Sequence, residues 1–158
     1  MPVIHLTTFI AAPAERIFDL SRSVELHKHS MQKYKEQPVG EIITGLLKRG
    51  DQITWKAHHL FKTRVLKTII TFFDRPNSFT DEQVAGDFSI MKHEHFFKPC
   101  ENGTIMIDLF QFETPYNVFG KLANKIFLTR YLKSLLEQRN KMIKEIAEGN
   151  RWKNYITT

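Results

Sequence analysis

A long amphipathic segment near the C-terminus is the feature that most constrains the fold of this chain. Across residues 118–147, apolar side chains recur at helical spacing, and the positions between them are mostly charged or polar. Pro115 precedes the segment and Gly149 follows it, as is typical of the two ends of a helix. About thirty residues at roughly 1.5 Å each give a helix of about 45 Å. A helix of that length cannot bury its apolar face alone, so the preceding chain must pack around it.

The preceding chain predicts one strand, two short helices and then a run of strands. Residues 2–10 are rich in β-branched side chains and predict the first strand. Pro13 suits the first turn of a helix, and Ser21 or Ser23 suits the start of a second one. Across residues 34–109 the apolar period changes from 3.6 to 2, and turn residues recur at regular intervals. Short turns between strands indicate antiparallel pairing, because parallel strands need a long crossover.

The sequence therefore predicts an α+β protein in which a six-stranded antiparallel meander wraps around a long C-terminal helix. A chain of 158 residues with 42% hydrophobic content is long enough to build one core. We expect residues 1–148 to form a single domain and residues 149–158 to form a C-terminal tail that is either frayed or docked.

Charge and cysteine content narrow the classes of function. The net charge is +6 and no nucleic-acid-binding signature is present, so no nucleic-acid partner is expected. Cys100 is the single cysteine, so no internal disulfide can form. The sequence contains no run of about 18 apolar residues, so no transmembrane segment is predicted. We expect a cytoplasmic protein whose oligomeric state the sequence does not set. The basic side chains of the long helix are predicted to form a solvated face rather than a membrane-surface or RNA-binding face; they are Lys121, Lys125, Arg130, Lys133, Arg139, Lys141 and Lys144.

A set of short motifs extends over residues 3–147. They are residues 10–19, Leu26, His27, Ser30, Met31, Gly45, Asp51, Thr54, Trp55, residues 57–59, residues 73–76, residues 81–83, Gly86, residues 93–95, Gly103, Thr104, Met106, Asp108, Leu128, residues 130–132, Glu137, Arg139 and Asn140. As a set they resemble the START-like, or SRPBCC, superfamily, which includes birch-pollen-allergen-like proteins and aromatic polyketide cyclases, and especially its small stand-alone bacterial members. The resemblance implies a helix-grip fold with a cavity between sheet and long helix, usually for a hydrophobic small molecule. It implies no reaction, because this scaffold hosts both carriers and enzymes.

We predict a carrier or sensor that binds a hydrophobic or aromatic molecule, such as a lipid or a polyketide-like compound, in this cavity. Burial of the ligand's apolar surface, at roughly 25 cal/mol per Å², drives such binding. The predicted wall residues are Trp55, His59, Phe79, Met91, His93, His95, Phe110, Phe112, Phe119, Phe127 and Tyr131. The aromatic residues favour the N-terminal half of the long helix as the ligand-binding end. No cofactor and no metal ion are expected.

Strand alternation places His59, His93, His95 and Asp108 where they could share one wall. Asp108 is predicted opposite His93 if the turn between their strands holds four residues, whereas a bulge would reverse that relation. If the four side chains converge, they suit a zinc or iron site, or acid–base catalysis by a histidine that Asp108 or Glu94 orients. The favoured interpretation is that they are hydrogen-bonded wall residues.

Two alternative functions stay open. One is a cyclase or dehydratase-type enzyme in which His93, His95 and Asp108 are catalytic. The other is a protein-interaction module whose cavity is packed shut. Asp81 and Gln83 are predicted either to share a wall with Phe79, where they offer polar groups to a ligand, or to be solvated at the edge of a strand.

Overall fold

The computed structural model describes residues 1–115 and 122–156. Its strands are β1 (Val3–Ile10), β2 (Gln37–Val39), β3 (Gln52–His59), β4 (Lys62–Asp74), β5 (Ser78–Ala85), β6 (Ile90–Cys100) and β7 (Gly103–Glu113). Its helices are α1 (Ala14–Ser21), α2 (Val24–Ser30) and α3 (Leu122–Glu148), with short 3-10 turns at Gln32–Tyr34 and Arg151–Asn154. None of the described helices combines the length and the apolarity that crossing a membrane requires.

All seven strands belong to one antiparallel sheet in the order β1–β7–β6–β5–β4–β3–β2. Strands β2 to β7 form the predicted six-stranded meander, and β1 pairs with β7 along its whole length. The two short helices follow β1, and the long helix α3 ends the fold. The predicted α+β helix-grip architecture is confirmed.

Helix α3 packs through two apolar clusters that are separated by polar residues. Near its C-terminal end, Ile143 and Ile146 pack with Phe18 of α1 and with buried side chains of the sheet. Nearer its N-terminal end, Leu128 and Leu132 pack with a second set of sheet residues. The polar residues between these clusters belong to the candidate site.

The hairpin between β6 and β7 is tighter than the sequence suggests. Cys100 pairs with Gly103, so the loop contains only Glu101 and Asn102. Asn102 adopts a φ of 69°, which asparagine tolerates better than most residues. This loop places Asp108 opposite His95 and corrects the prediction that Asp108 lies opposite His93.

The chain after α3 docks onto the domain. Trp152, Tyr155 and Ile156 pack against the apolar cluster that α1 shares with α3. The guanidinium of Arg16 lies 4.1 Å from the centre of the Trp152 ring, a cation–π contact. Of the two states left open for this tail, the docked one is observed for its described residues.

Candidate functional site

A cavity of about 250 Å³ lies between the sheet and α3. Its wall is mostly apolar: Ile53 and Met91 contribute from the sheet, and Leu128, Leu132 and Leu135 contribute from α3. The volume is just below the range of roughly 300–1,000 Å³ that is usual for small-molecule sites. The cavity therefore suits a small ligand.

Eight of the eleven predicted wall residues line this cavity: Trp55, His59, Phe79, Met91, His93, His95, Phe110 and Tyr131. Phe112 is instead fully buried against Phe88, with ring centroids 5.7 Å apart. Phe127 is 58% exposed, because it is rotated about 100° around the helix from the buried Leu128. Phe119 lies outside the described residues. Among the described residues of α3, the wall therefore includes Tyr131, one of the predicted aromatic residues, together with leucines between residues 128 and 136.

A buried polar network adjoins the cavity and is centred on the carboxylate of Asp108. Its members, the Asp108 network, are Asp81, His93, His95, Asp108, Arg139 and Asn140. Oδ1 of Asp108 accepts a hydrogen bond from Nε2 of His93 (2.8 Å), and Oδ2 accepts one from Nδ2 of Asn140 (2.7 Å). Nη1 of Arg139 lies 3.5 Å from Oδ1 of Asp108. The network thus joins α3 to β7 through charge-assisted contacts.

His95 connects Asp81 to the rest of the network. Its Nε2 donates a hydrogen bond to Oδ2 of Asp81 (2.8 Å), and its Nδ1 lies 3.5 Å from Oδ1 of Asp108. The His95 ring stacks on Phe79, with ring centroids 4.1 Å apart, and lies 3.7 Å from the ring of His93. Hydrogen bonds and ring contacts together fix the orientation of both imidazoles.

The electrostatics of the network favour ionised carboxylates and a neutral His93. Burial raises the pKa of Asp108, but hydrogen bonds from His93 and His95 and the charge of Arg139 hold it well below its ordinary value. Burial likewise opposes ionisation of Asp81, but the hydrogen bond from His95 lowers its pKa. Burial and the neighbouring His95 lower the pKa of His93 to about 4, although Asp108 raises it. His93 is therefore neutral at neutral pH.

The second ring nitrogen of His93 faces the cavity. Nε2 of His93 donates to Asp108, so Nδ1 of the neutral ring is an acceptor. Within residues 1–115 and 122–156, Nδ1 has no hydrogen-bond partner, whereas every fully buried side-chain nitrogen or oxygen has one. Because His93 lines the cavity, Nδ1 must keep contact with the cavity space. A ligand there finds one free acceptor in a mostly apolar wall.

A second polar group, the Glu36 cluster, lines another part of the wall and contains His27, Glu36, His59 and Tyr131. Oε1 of Glu36 accepts a hydrogen bond from Nε2 of His27 (2.5 Å), and Oε2 lies 3.7 Å from Nε2 of His59. Nδ1 of His59 is 2.8 Å from the hydroxyl of Tyr131. The ring of His27 also packs on Trp55, with centroids 4.3 Å apart.

The structure brings together only three of the four side chains that were predicted to share a wall. His93, His95 and Asp108 meet in the Asp108 network, whereas His59 belongs to the Glu36 cluster. Asp108 itself is fully buried behind the cavity wall. Of the two positions left open for Asp81, the structure has the one in the cavity wall, where Asp81 contacts His95.

The roles of Arg139, Asn140 and Glu36 were not predicted from the sequence. The prediction that Arg139 lies on a solvated face is wrong, because only 6% of it is exposed. Arg139 lies three residues after Leu136 and four before Ile143, which places it on the apolar stripe of α3. This spacing is the sequence signal that indicates its burial. Glu36 lies in a short connection before β2 and has no comparable signal.

We expect the stability of the protein to fall with acidification because of Glu36. Burial opposes ionisation of Glu36, but the charge and hydrogen bond of His27 lower its pKa to about 2 from 4.5. Between the ordinary pKa of 4.5 and the folded-state pKa of about 2, the unfolded chain binds a proton that the folded chain does not. The free energy of unfolding therefore decreases as the pH is lowered through this range, by roughly 3 kcal/mol in all. Denaturant titrations of Glu36→Gln from pH 5 down to pH 2 should show a shallower pH dependence than the unmodified protein. The exposed-site variant Glu41→Gln should keep the original slope, and an unchanged slope in Glu36→Gln would contradict the expectation.

The sequence matches no protein-family model and no curated protein. Its structure does resemble solved structures. Protein TTHA0849 from Thermus thermophilus has a TM-score of 0.74 at 20% identity, covering 91% of this chain and 95% of that one. Major latex-like protein 151 from Panax ginseng has a TM-score of 0.67 at 14% identity, covering 94% and 98%.

A third similar structure is a larger protein. The di-domain ARO/CYC StfQ from the steffimycin biosynthetic pathway has a TM-score of 0.74 at 11% identity, covering 92% of this chain. The chain spans 50% of StfQ. At these identities, each likeness establishes the fold and leaves the ligand to be argued from the site.

Proposed function

We propose that this chain, which has the helix-grip fold of the START-like, or SRPBCC, superfamily, binds a small apolar molecule between its sheet and α3. The observation that carries the proposal is the cavity of about 250 Å³ with its mostly apolar wall. If a ligand buries about 200 Å² of apolar surface there, at roughly 25 cal/mol per Å², it gains about 5 kcal/mol before the cost of association is subtracted. Such a ligand suits a carrier or a sensor.

The polar atoms of the wall specify the orientation of the ligand. Nδ1 of His93 can accept a hydrogen bond, so a hydroxyl or amide N–H on the ligand is the complementary group. The rest of the molecule then lies against Met91, Phe110 and the leucines of α3. An apolar ring system or short chain that carries a hydroxyl group fits this description.

A carrier or sensor suits the His93 environment better than an enzyme does. A general base works best when its pKa lies near the working pH, and the pKa of His93 is lowered to about 4. At neutral pH this imidazole is a good hydrogen-bond acceptor and a weak base. Binding is therefore the function that its chemistry supports best.

Native mass spectrometry of freshly purified protein tests the proposal. We expect a fraction of the protein to carry one small organic molecule, which denaturing extraction then releases for identification. A protein that is empty and also excludes hydrophobic dyes would contradict the proposal.

The alternative function is a cyclase or dehydratase-type enzyme on the same cavity. It is favoured by the Asp108–His93 pair, in which a buried carboxylate orients an imidazole toward the cavity. The variants His93→Ala and His95→Ala distinguish a carrier from an enzyme. A carrier should keep much of its apolar affinity in both variants, whereas an enzyme should lose turnover while its ligand still binds.

We further propose that residues 1–148 act as one domain and that the protein works in the cytoplasm. The two apolar clusters along α3 support the single domain, since they join the long helix to the sheet and to α1. The exposed, unpaired thiol of Cys100 is compatible with a reducing compartment.

A further inference from the structure

We propose that Asp81, His93 and His95 form a binding site for a divalent first-row transition metal ion, of the zinc or ferrous iron class. Each residue offers one ligand atom, and these atoms lie within 4.8 Å of one another. Two imidazoles and one carboxylate form a donor set that both ions use in proteins, with further positions left for water or substrate. All three residues line the cavity, so those further positions can open toward it.

The hydrogen bonds of the network select the donor atoms. Nε2 of His93 is engaged by Asp108, which leaves Nδ1 as its ligand atom. Nε2 of His95 donates a 2.8 Å hydrogen bond to Oδ2 of Asp81, so a metal ion bound by these two atoms replaces the proton between them.

The second coordination layer is already in place. A metal-bound histidine usually donates its other ring N–H to a carboxylate, which fixes the ring and raises its basicity. The Asp108 carboxylate has this relation to His93, and Asn140 in turn holds Asp108 with a 2.7 Å hydrogen bond. The hydrogen bond that orients His93 toward the cavity therefore also suits a metal ligand.

The ligand atoms of the three residues reach metal-binding distances after small shifts of their side chains. Bonds of 2.0–2.2 Å place two ligand atoms of one ion about 3.0–3.4 Å apart. Nε2 of His95 and Oδ2 of Asp81 are 2.8 Å apart and need to separate only slightly. The widest pair must approach by about an ångström or somewhat more, which side-chain rotation can supply.

The local charge also favours a cation. Asp81 and Asp108 contribute two negative charges, and Arg139 contributes one positive charge, so this trio has a net charge of −1. The guanidinium lies on the Nδ1 side of His95, 3.5 Å from that atom, and therefore away from the proposed ligand atom Nε2. Because the donors include imidazoles, zinc, cobalt or iron is favoured over magnesium and calcium, which prefer oxygen ligands.

Metal titration of the purified full-length protein, stripped with a chelator, tests the site. We expect one zinc ion per chain by calorimetry, and one cobalt(II) ion whose visible absorption reports nitrogen and oxygen ligands. Asp81→Asn, which keeps the side-chain shape, should weaken zinc binding at least about tenfold, since even residues behind the ligands cost 10–100-fold. Glu82→Gln, the adjacent position on the other face of β5, should bind zinc like the unmodified protein.

Two results would overturn the metal site: no stoichiometric binding of zinc or cobalt, or equal affinity in Asp81→Asn and Glu82→Gln. Thermal melting of each variant shows whether it is folded, and a melting temperature that zinc raises in Glu82→Gln but not in Asp81→Asn would support the site independently. These experiments use no organic ligand. A metal ion and a ligand hydroxyl group would share Nδ1 of His93, but the metal titration can succeed or fail whether or not an apolar molecule binds.

Discussion

Asp108→Ala should lower the free energy of unfolding by about 3–5 kcal/mol, because removing one partner of a buried charged network leaves the others uncompensated. The Asp108 side chain is fully buried and contacts His93, Arg139 and Asn140. Without it, the Arg139 guanidinium keeps its charge in a site that is 6% exposed. Urea denaturation at neutral pH measures the change directly.

Glu94→Ala is the matched control for this prediction. Glu94 lies between His93 and His95 on β6, but on the other face, where it forms a partly exposed ion pair with Lys92 at 3.5 Å. Such a pair contributes about 0–1 kcal/mol, so this variant should remain nearly as stable as the unmodified protein. Equal destabilisation by the two variants would show that the Asp108 network has no special part in joining α3 to the sheet.

Leu132→Trp should weaken the binding of an apolar probe by about sixtyfold. Leu132 lines the cavity from α3, and an indole at this position occupies space that the probe needs. Losing about 100 Å² of probe burial costs about 2.5 kcal/mol at 25 cal/mol per Å², and each 1.4 kcal/mol is tenfold in affinity. Titration with anilinonaphthalene sulfonate, followed by the emission of the dye, gives the dissociation constant.

Phe127→Ala controls for a general effect of changing α3. Phe127 is an apolar residue of the same helix, but it is 58% exposed and does not line the cavity. Probe affinity should therefore be unchanged in this variant. If Leu132→Trp binds the probe normally while remaining folded, the dye binds somewhere other than the proposed cavity.

The sequence predicts the elements of this fold because their periodicity is strong. The apolar stripe of α3 and the alternation of the strands each repeat many times, so a single exception does not obscure the pattern. The alternation also places His93 and His95 on one strand face, and the structure has both in the cavity wall. These features depend on local sequence.

The contacts between strands depend on register, which local sequence specifies poorly. The position of Asp108 relative to His93 and His95 is set by a two-residue loop at Glu101 and Asn102, and a longer turn would shift every pair of the hairpin. The hydrogen bond between Asp81 and His95 likewise requires the pairing of β5 with β6. The strand face of His93 and His95 was therefore predicted from the sequence, but their hydrogen-bond partners were not.

Fluorescence of Trp55 tests most directly the central claim that an apolar molecule enters the cavity. The chain has two tryptophans, and only Trp55 lines the cavity, so Trp152→Phe leaves Trp55 as the single reporter. We expect titration with anilinonaphthalene sulfonate to change Trp55 emission in a saturable way, with one probe per chain, and to change Trp152 emission in Trp55→Phe less. Probe binding that leaves Trp55 emission unchanged, or that alters Trp152 equally, would contradict the account.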